Sequence, residues 1–438
     1  LLQFSMGISQ AHVDACVLDF RHVRLLLPGE YEMRFVVICC VIVFSTAVPV
    51  AAQSIPHEMD AVPVADAHVH LLDFLQNGGY MMNGQEVSPK AGDTLPSGTR
   101  HFRLLLLLQK MDQCNVSHAM VSGMPFVKKW SEGDAFRPGY YLSSSSRVTR
   151  ARDTDYMIAL AFEDFRSREP ERFEKEFPRL YPFICGFNGT DLGAVDMIVK
   201  RIKEFPGTWK GIGEVMSRHD DLTNLSLGER PRADHPSLLR IYDFAGEHGL
   251  PVSIHHNVAP VSHDGIDSHN RYLDELLHAF EACPGTQFIW CHAGVSRRIV
   301  VDDLVEILDQ QVLLNHLDHL SIDLSWVVFE NYLIKRDESG ETIKDSNDDP
   351  EIRPEWVQLI EKYPANFILG SDKVGDFTKY RDEIRKYNAL LKVLTPKTRV
   401  LVANGNFVSV MPKDGLTLPS DYFYPEKRYT RHSLPVRD

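Results

Sequence analysis

From residue 62 onward, eight short apolar runs rich in Val, Ile and Phe alternate with longer stretches of helical periodicity. The runs are VADAHVH (64–70), SHAMVSGM (117–124), YPFICGFN (181–188), KGIGEVM (210–216), PVSIHHN (251–257), TQFIWCHAG (286–294), LSIDLSW (320–326) and NFILGSD (366–372). Helical patterns occupy 102–114, 192–205, 236–249, 270–283 and 378–394 between them. Such alternation builds parallel βαβ units, which close into a barrel or spread as a doubly wound sheet. Nearly every run ends in a polar side chain capable of chemistry. A barrel gathers all eight strand ends at one mouth, whereas an open sheet uses one crevice. The pattern therefore predicts an α/β fold, a (β/α)8 TIM barrel.

The segment before residue 53 reads differently. Met33-Arg34 opens the run FVVICCVIVF, which passes through STAVPV to Ala51-Ala52 and then Gln53. A basic residue, a short apolar stretch and small residues before a polar one form a secretory signal peptide. No cysteine follows the small residues, which argues against a lipid anchor. The expected organisation is an upstream extension over 1–32, a signal peptide over 33–52 and a single barrel domain over 53–438, with a tail from about 412. The expected location is secreted or periplasmic, with no membrane attachment after cleavage. The predicted mature chain keeps Cys114, Cys185, Cys283 and Cys291. Cys185 and Cys291 lie inside apolar runs, where a buried thiol is the commoner state, and no CxxC pair suggests zinc–thiolate or redox chemistry.

A formal net charge of −13 argues against nucleic acid or an anionic membrane as the main partner. A small-molecule substrate is expected, and assembly as a homo-oligomer is compatible with the sequence.

The most specific motif is Asp66-Ala67-His68-Val69-His70. Side chains two apart on a strand share a face, so His68 and His70 can chelate one divalent ion. Glu214 ends KGIGEV, His255 ends PVSI, His292 ends FIWC and Asp372 ends FILGS. Each has a bland alternative as a strand end, cap or core histidine. Their convergence on one barrel mouth favours a metal site of His68, His70, Glu214, His255, His292 and Asp372. Strict alternation sets His255 in phase with Ser253 and turns His256 the other way.

With DAHVH, GIGEV, the IHH of the fifth run, WCHAG and GSD, the chain resembles the amidohydrolase superfamily over about residues 62–411. The layout, including MDQCNVSHAMVSG and NGNF, is similar to the amidohydrolase-2 branch, while GIGEV is similar to the TatD and phosphotriesterase-like branches. The resemblance implies that His68, His70 and Asp372 hold a first ion and that Glu214 bridges to a second if two are present, or orients the substrate or supports the ligands from behind if only one is. It also implies that His292 binds the second ion or steadies developing negative charge, with Asp372 and His292 as catalytic groups. Many relatives bridge their ions with a carboxylated lysine. Here Glu214 holds that position and Lys210 precedes it by four residues, which argues against one.

Oxygen and imidazole ligands suit Zn, with Mn, Co or Ni also compatible, and one or two ions fit the ligand set. The implied activity is hydrolysis of an amide, ester, lactone or phosphoester by metal-activated water. The branch also contains one-metal nonoxidative decarboxylases, and a third reading is an inactive metal-binding barrel. Met124, Phe126, Asn188, Arg218, His219 and Trp326 are placed after strands to line the pocket. Arg218 has an alternative pairing with Asp220 or Asp221, and Asp323 can cap its strand or orient His292.

Overall fold

The computed structural model describes residues 62–72, 80–82, 85–87, 101–124, 151–219, 231–260, 272–297, 299, 301–315, 317–375 and 377–425. The upstream extension, the signal peptide and Phe126 lie outside the described residues.

The predicted runs form strands β1 (Val64–His70), β2 (Val116–Ser122), β3 (Leu180–Ile184), β4 (Gly211–Met216), β5 (Val252–His255), β6 (Phe288–Trp290), β7 (Leu320–Asp323) and β8 (Phe367–Ile368), followed by a short β9 (Lys373–Val374). They are hydrogen-bonded in the order β8-β7-β6-β5-β4-β3-β2-β1-β9, and every adjacent pair is parallel. β8 and β9 are two halves of one passage of chain, the first paired to β7 and the second to β1. Ala67 N donates to Leu369 O at 2.8 Å and Asp372 N donates to His68 O at 2.8 Å, joining the two ends of the sheet into a barrel.

Burial follows the two periodicities. Helix α1 (Phe102–Gln113) buries Leu104, Leu107, Leu108 and Met111, a single stripe at helical spacing. Each such side chain contributes about 1.5–3 kcal/mol against exposure. Ala65, Ala67, Met120, Tyr181, Phe183, Ile289 and Ile368 pack with Phe407 and Met411 as a second core. Because they come from strands around the ring, this core fills the barrel itself. Lys210 sits low in it, its Nζ 4.4 Å from the ring centre of Phe177 and 4.6 Å from that of Tyr181. Burial pulls its pKa down to about 8.

Two expected elements differ. The strand expected over 286–294 ends at Trp290, because His292, Ala293 and Gly294 all take positive φ. The helix expected over 378–394 is two helices, Tyr380–Arg385 and Asn388–Val393. The break turns Tyr387 inward, where its hydroxyl lies 2.7 Å from Leu324 O and 2.8 Å from Gly370 O. The polar stretch 335–350 is largely exposed and held by local bonds such as Asp345 to Asn347 N. Among the described residues, no helix is long and apolar enough to cross a membrane, and the four cysteines Cys114, Cys185, Cys283 and Cys291 are free thiols.

Helix α2 (Ala151–Arg168) clasps two strand ends through its first turn. Thr154 Oγ1 accepts from Met124 N at 3.0 Å, and Asp155 accepts from Cys185 N at 3.0 Å and Gly186 N at 2.9 Å. Burial pushes the Asp155 carboxyl up to about 6, although both N–H groups oppose the rise. The folded state thus holds this proton more tightly than the unfolded chain. The contribution is fully present below the ordinary value of 3.8 and is lost as pH rises through about 6. Asp155→Asn removes that titration. Chemical denaturation should therefore show the variant gaining on the wild type by about 1–3 kcal/mol between pH 4 and pH 7.5. A pH-independent difference would contradict this.

Candidate metal centre

The six residues expected at the barrel mouth converge. His68 Nε2 and His70 Nε2 lie 3.1 Å apart. Glu214 Oε2 is 3.7 Å from the first and 3.4 Å from the second. Asp372 Oδ1 is 3.6 Å and 3.5 Å from the same two nitrogens. A tetrahedral ion with bonds of about 2.0–2.1 Å holds its ligands about 3.3–3.4 Å apart. These separations of 3.1–3.7 Å match that spacing.

The hydrogen-bond pattern is compatible with a cation there as well. His70 Nδ1 lies 2.8 Å from Gly123 O, a carbonyl that can only accept, so His70 carries its proton on Nδ1. Asp323 Oδ2 lies 2.9 Å from His68 Nδ1 and draws the same proton there. In these Nδ1–H tautomers both Nε2 lone pairs face each other and two carboxylates. Burial opposes charge on His68, yet Cys291, Asp372, Glu214 and Asp323 hold its pKa well above the usual imidazole value. Burial likewise opposes ionisation of Glu214, but His68, His255 and His292 hold its carboxyl well below the usual range. Glu214 is thus held ionised among groups that favour positive charge, an environment that a divalent ion would suit.

The second oxygen of Glu214 faces a second set. Its Oε1 is 3.1 Å from His255 Nδ1 and 3.7 Å from His292 Nε2. His255 Nε2 is 3.2 Å from Asn257 Oδ1, which can accept a hydrogen bond from an Nε2–H and so leave the Nδ1 lone pair free. Among the described residues four groups have potential ligand atoms within 4.8 Å of one another: His68–His70–Asp372 and Glu214–His255–His292, and two that cross between them, His68–His292–Asp323 and His68–Glu214–Cys291. His256 points away, with Nδ1 2.9 Å from Ser217 Oγ and Nε2 2.9 Å from Tyr272 O. Its burial drives the pKa down to about 3, so it stays a neutral core histidine.

The backbone aims these groups through unusual conformations. Arg218, His292, Ala293, Trp326 and Asp372 all have positive φ, which costs energy for side chains with a Cβ and gathers at functional sites. Gly294 ends the turn after His292 with φ 73°, and a Cβ there would lie 2.2 Å from the Trp290 ring. Asp66, the first residue of DAHVH, ties the motif to the Asp372 loop. Its Oδ1 accepts from His68 N at 3.1 Å and Ser371 N at 2.8 Å.

The pocket residues expected around this centre divide. Trp326 packs edge-on against His292 with ring centres 5.0 Å apart, and His219 stacks on His255 at 4.1 Å. Burial, then His255, hold the His219 pKa well below the usual value. Arg218 grips Glu275 through Nε at 2.8 Å and a terminal nitrogen at 2.5 Å, and its guanidinium lies 4.6 Å from the Tyr272 ring centre. Asn188 spends its Oδ1 on Thr190, 3.1 Å from the backbone N and 2.9 Å from Oγ1, in a local turn. Met124 is buried beside α2. Asp323 contacts His68 directly and reaches His292 through Ser325, a residue that the strand pattern alone does not single out.

The amidohydrolase family model matches residues 65–406. No curated protein matches the sequence. Among solved structures, the chain is similar to one described as amidohydrolase II, at 16% identity and TM-score 0.44, covering 79% of this chain and 99% of that one. It is similar to 2,6-dihydroxybenzoate decarboxylase from Rhizobium at 11% identity and TM-score 0.42, covering 80% and 98%. An amidohydrolase from Burkholderia multivorans with bound zinc matches at 14% identity and TM-score 0.37, covering 73% and 88%. The family match spans most of the barrel and includes every residue of the metal-ligand constellation, and on it the chain belongs to the amidohydrolase family of metal-dependent enzymes.

Proposed function

We propose that the protein is a binuclear metal-dependent hydrolase acting on an amide, ester, lactone or phosphoester of a small molecule. The observation that carries this reading is the two-sided Glu214, with Oε2 toward His68 and His70 and Oε1 toward His255 and His292. Zinc suits the mixed imidazole and carboxylate donors. When bound, the ions lower the pKa of water and polarise the scissile carbonyl or phosphoryl oxygen.

The chain's own groups do the rest. Glu214 and the four histidines have side chains no more than 3% exposed, whereas that of Asp372 is 14% exposed. Asp372 is therefore the ligand that meets substrate. Its Oδ1 faces the first set and its Oδ2 lies 4.0 Å from His292 Nε2. In this reading Asp372 takes the proton of the attacking water and returns it to the leaving group. Trp326 and His219 wall the far side of His255 and His292 and limit water around the reacting centre.

The test is turnover of the zinc- or manganese-loaded protein on chromogenic esters, lactones, phosphoesters and aromatic carboxylic acids in oxygen-18 water. Hydrolysis places label in the product. Carbon dioxide release with no label in the organic product would replace this reading with that of a lyase.

Export is proposed on the leader-like run ending at Ala52. A chain beginning at Gln53 should be soluble and bind metal like the full chain. Loss of folding in it would overturn the boundary.

A further inference from the structure

One carboxylate oxygen joins the two ligand sets from behind. Asp323 Oδ2 lies 2.9 Å from His68 Nδ1 and 2.6 Å from Ser325 Oγ, and Ser325 Oγ lies 2.9 Å from His292 Nδ1. His68, Ser325 and Asp323 are wholly buried, and His292 is 2% exposed.

Hydrogen counting gives the chain a direction. The Asp323 carboxylate can only accept, and it faces donors on both oxygens, with Ser325 N 2.8 Å from Oδ1 and Ser325 Oγ 2.6 Å from Oδ2. The single Ser325 proton must then go to Asp323. The serine oxygen is left to accept, so His292 must donate from Nδ1. That leaves the His292 Nε2 lone pair directed at Glu214 Oε1 and Asp372 Oδ2, 3.7 Å and 4.0 Å away. Asp323 cannot do this unaided, since its Oδ2 is 3.9 Å from His292 Nδ1.

We propose that Ser325 is a positioning residue that relays the charge of Asp323 to His292, fixing the imidazole as the Nδ1–H form and tying the second ion's ligand to His68 of the first set. The proposal rests on the binuclear reading for its metal consequence but not for its tautomer. Metal ligands depend on such partners, whose loss costs about 10–100-fold in affinity.

The test uses the full chain labelled with nitrogen-15 histidine, with long-range proton–nitrogen NMR reading the His292 tautomer and calorimetric zinc titration reading affinity. Wild-type His292 should be protonated on Nδ1 in the metal-free protein. Ser325→Ala should lose that preference and weaken the second zinc by about 10–100-fold, with the first little changed. Ser325→Thr, which keeps the hydroxyl, should restore the Nδ1–H form. A wild-type His292 protonated on Nε2, or an alanine variant with unchanged tautomer, would overturn the proposal. If the wild type takes up one zinc only, the binuclear reading fails, while the tautomer still decides the role of Ser325.

Discussion

Replacing His68 with alanine should strip the protein of most of its divalent metal. The imidazole supplies one corner of the four-atom set formed with His70, Glu214 and Asp372. It also carries the Asp323 contact at 2.9 Å, so the substitution removes an N–H donor from a buried carboxylate. Outer partners of metal ligands are worth about 10–100-fold in affinity, and loss of the ligand itself should exceed about 100-fold. Stability should fall too, because Asp323 is wholly buried and losing one hydrogen bond to a charged group costs about 1.5–3 kcal/mol, Ser325 keeping the rest. Equilibrium dialysis against zinc and a thermal melt of the same preparation read both effects. Full metal content in the variant would remove His68 from the centre.

Asp372→Asn should separate binding from turnover. Asparagine keeps the shape and one oxygen donor but cannot accept a proton at neutral pH. Asp372 is the most accessible of the six candidate ligands and stands within 4.0 Å of nitrogens from both sets. We expect kcat to fall on the order of 10²-fold or more, as for a lost general base, with metal partly retained. The split is measured by steady-state kinetics alongside metal analysis of the same samples. Unchanged kcat would make Asp372 a structural ligand only.

Much of this centre was legible in the sequence because strands impose a simple rule. Period-two alternation set His68 and His70 on one face, and distinguished His255 from His256 through Ser253. Glu214 and Asp372 stood out because carboxylates after apolar runs need a reason to be there. What alternation could not reveal is contact across the ring. Arg218 pairs with Glu275, 57 positions away, and Ser325 meets His292 33 positions away. Neither spacing has a local signature. His292 itself is aimed by left-handed turns rather than by a strand, so the expected run to 294 overshot. Asn188 carried an overlooked local signal, since Asn two residues before Thr favours a side-chain turn, and that turn occupies its oxygen.

In the proposed binuclear hydrolase one buried carboxylate, Glu214, serves two metal positions at once. The most direct test is the number of divalent ions bound per chain in the purified, zinc-reconstituted protein, measured by plasma mass spectrometry, with Glu214→Ala in parallel. Two ions per chain are expected in the wild type and at most one, more weakly held, in the variant. One ion in the wild type, retained unchanged without Glu214, would contradict this.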